Sequence, residues 1–250
     1  IKLGATTTKV VRLVTDSYIA LDLETTGLSP AEDRILEIGA IRVEGGRILE
    51  RYETLLNPGI RISPRIQELT GITDEMAAGG KDTRTAVGEL AEFCGDLPLL
   101  GHNILFDYSF VKKNAVNFGL EFEKAGIDTL KIARKLLPDM EHKSLTALCC
   151  HYGIVHERAH RAVDDACAAM ELYLRLSRDF PDSPPELFEP FPLTYKVKKQ
   201  GPVTPAQKGY LNDLVKYHKI ALDVSVDTLT KNEASRLIDK IISTHGRIIR

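Results

Sequence analysis

Two acidic residues that lie two positions apart at the end of an apolar run constrain this chain most. Asp22 and Glu24 close the run Tyr-Ile-Ala-Leu-Asp-Leu-Glu, residues 18–24. Because alternate residues of a β-strand point to the same face, a strand here would aim both carboxylates at one point. Two carboxylates repel each other, and their burial is costly unless a positive charge lies between them. Hard oxygen ligands of this kind favour Mg²⁺ or Mn²⁺ over zinc.

Charge is distributed unevenly along the 250 residues. Residues 196–250 contain 11 lysines and arginines against 5 acidic residues, whereas residues 1–195 have a net charge of −8. An acidic body needs bound cations to attract a polyanion, whereas a basic tail could contact phosphates directly. The apolar runs are too short to cross a bilayer, so no membrane association is expected. No Cys-x-x-Cys pair occurs among the four cysteines, which we interpret as reduced thiols of a cytoplasmic protein.

The hydrophobic pattern predicts an α/β domain. Residues 18–23, 35–43 and 48–56 read as three strands joined by short turns. Two short strands then alternate with helices, the strands at 97–100 and 126–129 and the helices at 86–94, 105–118, 130–137, 145–152 and 162–178. Antiparallel strands followed by β-α-β units predict a mixed five-stranded sheet flanked by helices.

A proline-rich segment divides this domain from a C-terminal module. We predict a leader at residues 1–15, the main domain at 16–180 and a linker at 181–203, because proline lacks a backbone donor and interrupts regular structure. Thr204 and Thr230 each precede Gln or Glu by three residues, which is the pattern of a helix N-terminus. Residues 204–250 are therefore predicted to form a small helical module that binds nucleic acid or a protein partner.

Two further motifs add acidic residues and an imidazole. Asp107 is predicted in the first turns of the helix that follows the strand ending at Gly101. His160 is predicted on a loop, and Asp165 one turn into the next helix, so both could face a common site. Four carboxylates can hold two divalent cations for phosphodiester cleavage, and a histidine of near-neutral pKa can take a proton from water.

These motifs resemble those of the DEDDh group of 3′–5′ exonucleases, DnaQ-like proteins of the ribonuclease H-like fold. Residues 22–27, 102–107 and 160–166 match the three motifs of the family in order. The proofreading epsilon subunit and the exonuclease domain of PolC belong to this family. The resemblance covers residues 18–178, and the tail differs from that of the epsilon subunit, which disfavours a replicative proofreading subunit.

The resemblance implies a role for each motif residue. Asp22, Glu24 and Asp165 would hold the metal that activates water, with Asp22 bridging to a second metal that Asp107 supports. His160 would be the general base. Contacts with the terminal nucleotide are implied for seven residues: Thr25, Thr26, Gly27, Leu28, His102, Asn103 and Phe106. His142, His151 and His156 are interpreted as surface or loop residues, and Glu37 as structural.

The implied activity is a metal-dependent 3′–5′ exonuclease with two Mg²⁺ or Mn²⁺ ions per site. It would release 5′-mononucleotides from single-stranded 3′ ends, preferably of DNA, in proofreading, repair or 3′-end trimming. Three alternatives remain open. The protein could be an RNA 3′-end exoribonuclease, a nucleic-acid-binding trimming subunit of a polymerase, helicase or CRISPR integrase complex, or a catalytically silent scaffold.

Overall fold

The structure is a computed structural model that describes residues 14–156 and 159–248. The predicted leader lies outside these residues except for its last two positions. A mixed sheet with the strand order β3-β2-β1-β4-β5-β6 forms the centre of the molecule. Its strands are β1 (Tyr18–Thr25), β2 (Ile35–Glu44), β3 (Arg47–Leu55), β4 (Leu99–Gly101), β5 (Ala125–Asp128) and β6 (Phe191–Pro192).

The predicted fold class is confirmed, with one more strand than the sequence indicates. β1 pairs antiparallel with β2 and parallel with β4, as expected for hairpin strands followed by β-α-β units. The sixth strand comes from the predicted linker, where Phe191 pairs with Gly126 of β5 and Pro192 with Ala125. A two-residue strand that contains a proline and follows another is too short for an alternating pattern to reveal it.

The α-helices within the described residues are α1 (Pro64–Thr70), α2 (Asp74–Ala78), α3 (Thr83–Cys94), α4 (Leu105–Phe118), α5 (Thr129–Leu136), α6 (Leu145–Tyr152), α7 (Ala162–Asp179), α8 (Pro205–His218) and α9 (Lys231–His245). The sequence pattern missed α1 and α2. Each begins at a capping side chain, Ser63 or Thr73, but is too short to show a helical period. Among these helices, none has the length and apolarity that crossing a membrane requires.

Strand β1 is covered on both faces. Tyr18 and Ala20 pack into one core cluster with residues of α5, α6 and α7. Ile19 and Leu21 pack into the other cluster with residues of α3 and α4. A central strand buried on both sides is expected to be almost continuously apolar. Asp22 therefore interrupts the strand on the face that α7 covers.

Gly39 allows α7 to lie directly on the sheet. It is the cross-strand partner of Asp22 in the β1–β2 register. A Cβ atom at this position would overlap the backbone of Ala162 and Val163, at the beginning of α7. Because no side chain separates the helix from the sheet here, the first turn of α7 is held beside Asp22.

The C-terminal module, here α8, α9 and the residues between them, has its own small core. Its buried residues are Leu211, Leu214, Leu229, Ala234 and Ile241. Both predicted helix starts are complete capping boxes, with Thr204 and Thr230 as the capping residues. Each box satisfies backbone donors that the first helical turn would otherwise leave without partners.

The module docks on the main domain through the loop between β1 and β2 and the residues near position 60. Arg34 of that loop forms an ion pair with Glu233 of α9 at 2.7 Å, and both side chains are largely buried. The backbone NH of Arg61 donates to Asp223 O at 2.9 Å, and that of Ser225 donates to Gly59 O at 2.8 Å. The module is thus fixed to the domain by backbone pairing as well as by charge.

Candidate active site

The four motif carboxylates come from three elements that meet at one end of β1. Asp22 and Glu24 lie on β1, Asp107 lies in the first turn of α4, and Asp165 lies in the first turn of α7. Asp107 Oδ1 accepts a hydrogen bond from the backbone NH of Leu23 at 3.0 Å. This bond joins the beginning of α4 to the strand that carries the first two acids.

Glu37 fixes the beginning of α7. Its fully buried carboxylate accepts a hydrogen bond from Ala162 N at 2.9 Å and pairs with Arg161, whose NH2 lies 2.6 Å from Oε1. A carboxylate at a helix N-terminus is stabilised by the free NH groups and the helix dipole. Because Glu37 lies opposite Glu24 across the β1–β2 pair, it holds the third motif next to the first.

Glu24, His160 and Asp165 form a compact set of potential metal ligands. One ligand atom from each side chain lies within 4.8 Å of the other two. His160 has a left-handed backbone with φ of 69°, and its NH donates to Asp165 Oδ2 at 3.3 Å. A non-glycine residue in this region is uncommon and strained, which is a recurrent feature of functional sites. The loop conformation therefore brings the imidazole beside the two carboxylates.

Burial and repulsion from neighbouring carboxylates raise the pKa values of Asp22, Glu24 and Asp107. Burial raises the pKa of Glu24 to about 8, with further increases from Asp165 and Glu37 and an opposing effect of Arg161. Burial also raises the pKa of Asp22 well above its ordinary range, and the charges of Asp107, Asp165, Glu24 and Glu37 add to this. The pKa of Asp107 is likewise raised by burial, against its backbone hydrogen bonds.

These surroundings fit a bound divalent cation. The charges that act on Asp22 are those of neighbouring carboxylates, so a positive charge placed among them would relieve both repulsion and desolvation. The donors are carboxylate oxygens with one adjacent imidazole, a set suited to Mg²⁺ or Mn²⁺. The structure thus brings all five predicted catalytic residues into one acidic centre.

His156, predicted as a surface or loop histidine, lies in a loop, but its ring is buried next to this centre. Its Nε2 contacts Asp165 Oδ1, and the ring is almost fully buried. Its Nδ1 is also buried, with no hydrogen-bond partner among the residues that the structure describes. The only signal in the sequence is its position four residues before His160 on the same loop, which does not reveal that the ring folds inward.

The turn after β1 presents the residues implied to contact the terminal nucleotide. Thr25 Oγ1 donates to Gly27 O at 2.7 Å, and Thr26 Oγ1 accepts from Arg34 N at 2.9 Å. Asp33 packs against Gly27 where a Cβ atom would lie. The turn is therefore closed on itself, and Leu28 at its tip is 85% exposed. The contact of Leu28 with a base stays a prediction.

The three predicted substrate-binding residues of the second motif lie in different environments. Both ring nitrogens of His102 are used within the protein, Nε2 with Lys143 O at 2.8 Å and Nδ1 with Thr129 Oγ1 at 2.9 Å. Burial lowers the pKa of this ring, which favours the neutral form. Any contact of His102 with a substrate would therefore be through its carbon atoms. Asn103 is exposed with φ of 69°, and Phe106 is half-buried against Phe110. Their substrate contacts stay predictions.

Solved structures share this arrangement of sheet and helices. E. coli exonuclease I in complex with a dT13 oligonucleotide matches with a TM-score of 0.59 and 22% identity, over 66% of this chain and 42% of that chain. At this identity the likeness shows the fold alone, which is the ribonuclease H-like exonuclease fold.

Sequence comparison then defines the family. Residues 19–173 match the family described as Exonuclease. DNA polymerase III subunit epsilon of Aquifex aeolicus is 34% identical over 165 residues, which are 66% of this chain and 82% of that protein. PolC-type DNA polymerase III of Clostridium perfringens is 39% identical over 157 residues, 63% of this chain but 11% of that protein. The chain belongs to this exonuclease family, as its motifs predict.

Proposed function

We propose that the protein is a metal-dependent 3′–5′ exonuclease that hydrolyses phosphodiester bonds and releases 5′-mononucleotides. The observation that carries this proposal is the acidic centre, in which three buried carboxylates with raised pKa values, those of Asp22, Glu24 and Asp107, lie with Asp165 and the imidazole of His160. Buried carboxylates that lack a neighbouring positive charge destabilise the folded protein. Their presence therefore argues against a catalytically silent scaffold.

Asp22, Glu24, Asp107 and Asp165 would hold two Mg²⁺ or Mn²⁺ ions. When bound, such ions supply a nucleophilic water at neutral pH and stabilise the leaving oxygen. His160 would accept the proton of the attacking water at a ring nitrogen, because its backbone places the ring beside Glu24 and Asp165. Glu37 and Arg161 act only through position, by holding the first turn of α7.

Single-stranded DNA is the substrate that we favour. The turn of residues 25–28 would orient the terminal nucleotide, with the exposed Leu28 against its base. Two observations support DNA. The two relatives named above are DNA polymerase III components, and one structural neighbour is a complex with a DNA oligonucleotide. Discrimination against RNA depends on how closely the site approaches the 2′-hydroxyl.

A degradation assay tests the proposal directly. The protein is incubated with single-stranded DNA and RNA of one sequence, each with a free or a blocked 3′ end, in Mg²⁺, Mn²⁺ or EDTA. Stepwise shortening of unblocked DNA is expected with metal only, and faster than that of RNA. Asp22→Ala should abolish it, whereas Asp139→Ala, which removes an exposed aspartate, should not.

Other outcomes would change the assignment. Faster shortening of RNA would make the protein an exoribonuclease. Equal rates for Asp22→Ala and the parent would refute the assigned centre. Tight binding of single strands without any shortening would favour the trimming subunit of a larger complex, in which a partner activates hydrolysis. The 11% coverage of the PolC-type relative is compatible with that role, since the matching segment there is part of a much longer polymerase chain.

A further inference from the structure

A cavity of about 710 Å³ lies between the main domain and the C-terminal module. The main domain lines it with residues of the β1–β2 loop, α3 and α4, among them Arg34 and Lys113. The module lines it with the beginning of α9, including Thr230 and Glu233. A volume of this size lies in the range of small-molecule binding sites, roughly 300–1,000 Å³.

Lys113 is the unusual residue in this cavity. It is only 8% exposed and lines the cavity wall. Across residues 14–156 and 159–248, its ammonium group has no hydrogen-bond or ion-pair partner. The adjacent Lys112 is equally buried, but its Nζ contacts the carboxylate of Glu123. An ammonium group on a largely buried side chain is costly without a counter-ion. Lys112 has such a partner, and Lys113 has none within the described part of the chain.

The two acidic residues whose charges act on Lys113 are Glu233 and Asp33, and both are hydrogen-bonded to other groups. Glu233 accepts hydrogen bonds from Arg34 Nη1 and from Thr230 N, both at 2.7 Å. Asp33 accepts a hydrogen bond from Ser29 N at 2.8 Å. Burial, followed by the charge of Arg34, lowers the pKa of Lys113 to about 8. The cavity therefore contains a cation that is paired with no carboxylate of the described residues, although the charges of Glu233 and Asp33 favour its protonated form.

Polar amides continue the lining on the same side of the cavity. Asn114 donates through Nδ2 to Phe110 O, and Asn117 accepts through Oδ1 from Gln200 N. Each amide also carries a second polar atom, an acceptor on Asn114 and a donor on Asn117. A cation at one point and amides beside it suit a ligand with an anionic group attached to a polar ring.

We infer that this cavity is a binding site for a phosphate monoester, with Lys113 Nζ as the principal contact of the phosphate. A phosphate offers several acceptor oxygens to the three donors of a lysine ammonium group. The cavity is larger than a phosphate ion needs, so a nucleoside 5′-monophosphate would also fit. This site is distinct from the acidic centre, and the inference does not depend on the proposed nuclease activity.

Calorimetric titration of the full chain tests the site without interference from the acidic centre. The protein carries Asp22→Ala and is kept in EDTA and a phosphate-free buffer, so that metal-dependent binding is absent. Inorganic phosphate, thymidine 5′-monophosphate and thymidine are titrated separately. We expect the first two to bind and thymidine not to bind. Similar affinities for inorganic phosphate and thymidine 5′-monophosphate would indicate that the site recognises phosphate alone. Tighter binding of the monophosphate would indicate a nucleotide site.

Substitution at two neighbouring lysines supplies the matched comparison. Lys113→Met should weaken binding about tenfold or more, because hydrogen bonds to charged groups are the strong ones. Lys112→Met removes a lysine of equal burial outside the cavity and should leave affinity unchanged. Lys113→Arg keeps the positive charge and should retain most of the binding. Weak binding by Lys113→Met together with near-normal binding by Lys113→Arg would show that the charge at this position is what the ligand needs.

Three results would overturn the inference. These are undetectable binding of phosphate and monophosphate to the parent, unchanged affinity in Lys113→Met, or thymidine binding as tight as that of its monophosphate. Circular dichroism of each variant establishes that it is folded before titration.

Discussion

Replacement of Glu24 by glutamine should make the metal-free protein more stable at high pH and not at low pH. The carboxyl has a pKa of about 8 in the folded protein, against an ordinary value of 4.5. Between these values the folded protein holds a proton that the unfolded chain has lost. Stability therefore falls as pH rises through this window, and the cost is absent below about pH 4.5.

The size of the effect follows from the same two values. A difference of about 3.5 between folded and unfolded pKa values corresponds to roughly 5 kcal/mol at alkaline pH, as an upper estimate. Asp22 and Asp107 also have raised pKa values, so the variant should retain part of the pH dependence. We expect Glu24→Gln to exceed the parent by a few kcal/mol at pH 9 and to equal it near pH 4.5.

Urea unfolding in EDTA at several pH values measures this difference. Circular dichroism is the suitable signal, because the chain contains no tryptophan. Glu50→Gln on β3 removes an exposed glutamate and should follow the parent at every pH. A gain for Glu24→Gln that is the same at pH 5 and pH 9 would refute the reasoning. Added Mg²⁺ should stabilise the parent most at high pH, since it binds the ionised folded site.

Further substitutions test the catalytic and positioning roles. His160→Ala should lower the turnover number about 10²–10⁴-fold in the degradation assay, as expected for loss of a general base. Arg161→Met leaves Glu37 buried without its cation and should cost about 3 kcal/mol in urea unfolding. Gly39→Ala should cost about 1–3 kcal/mol by the same measurement, through overlap with α7. Leu28→Ala should raise KM for single-stranded DNA without shifting the unfolding midpoint, and unchanged KM would remove the base-contact assignment.

The hydrophobic pattern of the sequence was sufficient to predict strand β1 and the helices α4 and α6. The bounds of α4 and α6 follow from their helical periods and from Gly119 and Gly153, which end them in left-handed conformations. Strand β1 was predictable because its apolar residues are interrupted only by acids. The convergence of Asp22 and Glu24 on one face follows directly from the two-residue period of a strand.

The features that could not be predicted depend on contacts between distant segments. The strand β6 exists only because β5 offers a free edge to residues 191–192. His156 reaches Asp165 through a loop whose path no periodicity encodes. Gly39 has no side chain to signal its role, although it sets the distance between α7 and the sheet. The cavity around Lys113 could not be predicted, because it is lined by residues of both the main domain and the module.

The pairing of β6 with β5 has a consequence for how the protein can be divided. A chain that ends at residue 180, the predicted domain boundary, would leave the hydrogen-bonding edge of β5 open. It would also remove Phe188, which packs on Tyr173, and Leu193, which packs on Gly126. Open strand edges promote intermolecular pairing and aggregation. The segment that joins the two parts of the protein therefore also covers the edge of β5, and the smallest fragment that resists aggregation should extend past residue 193.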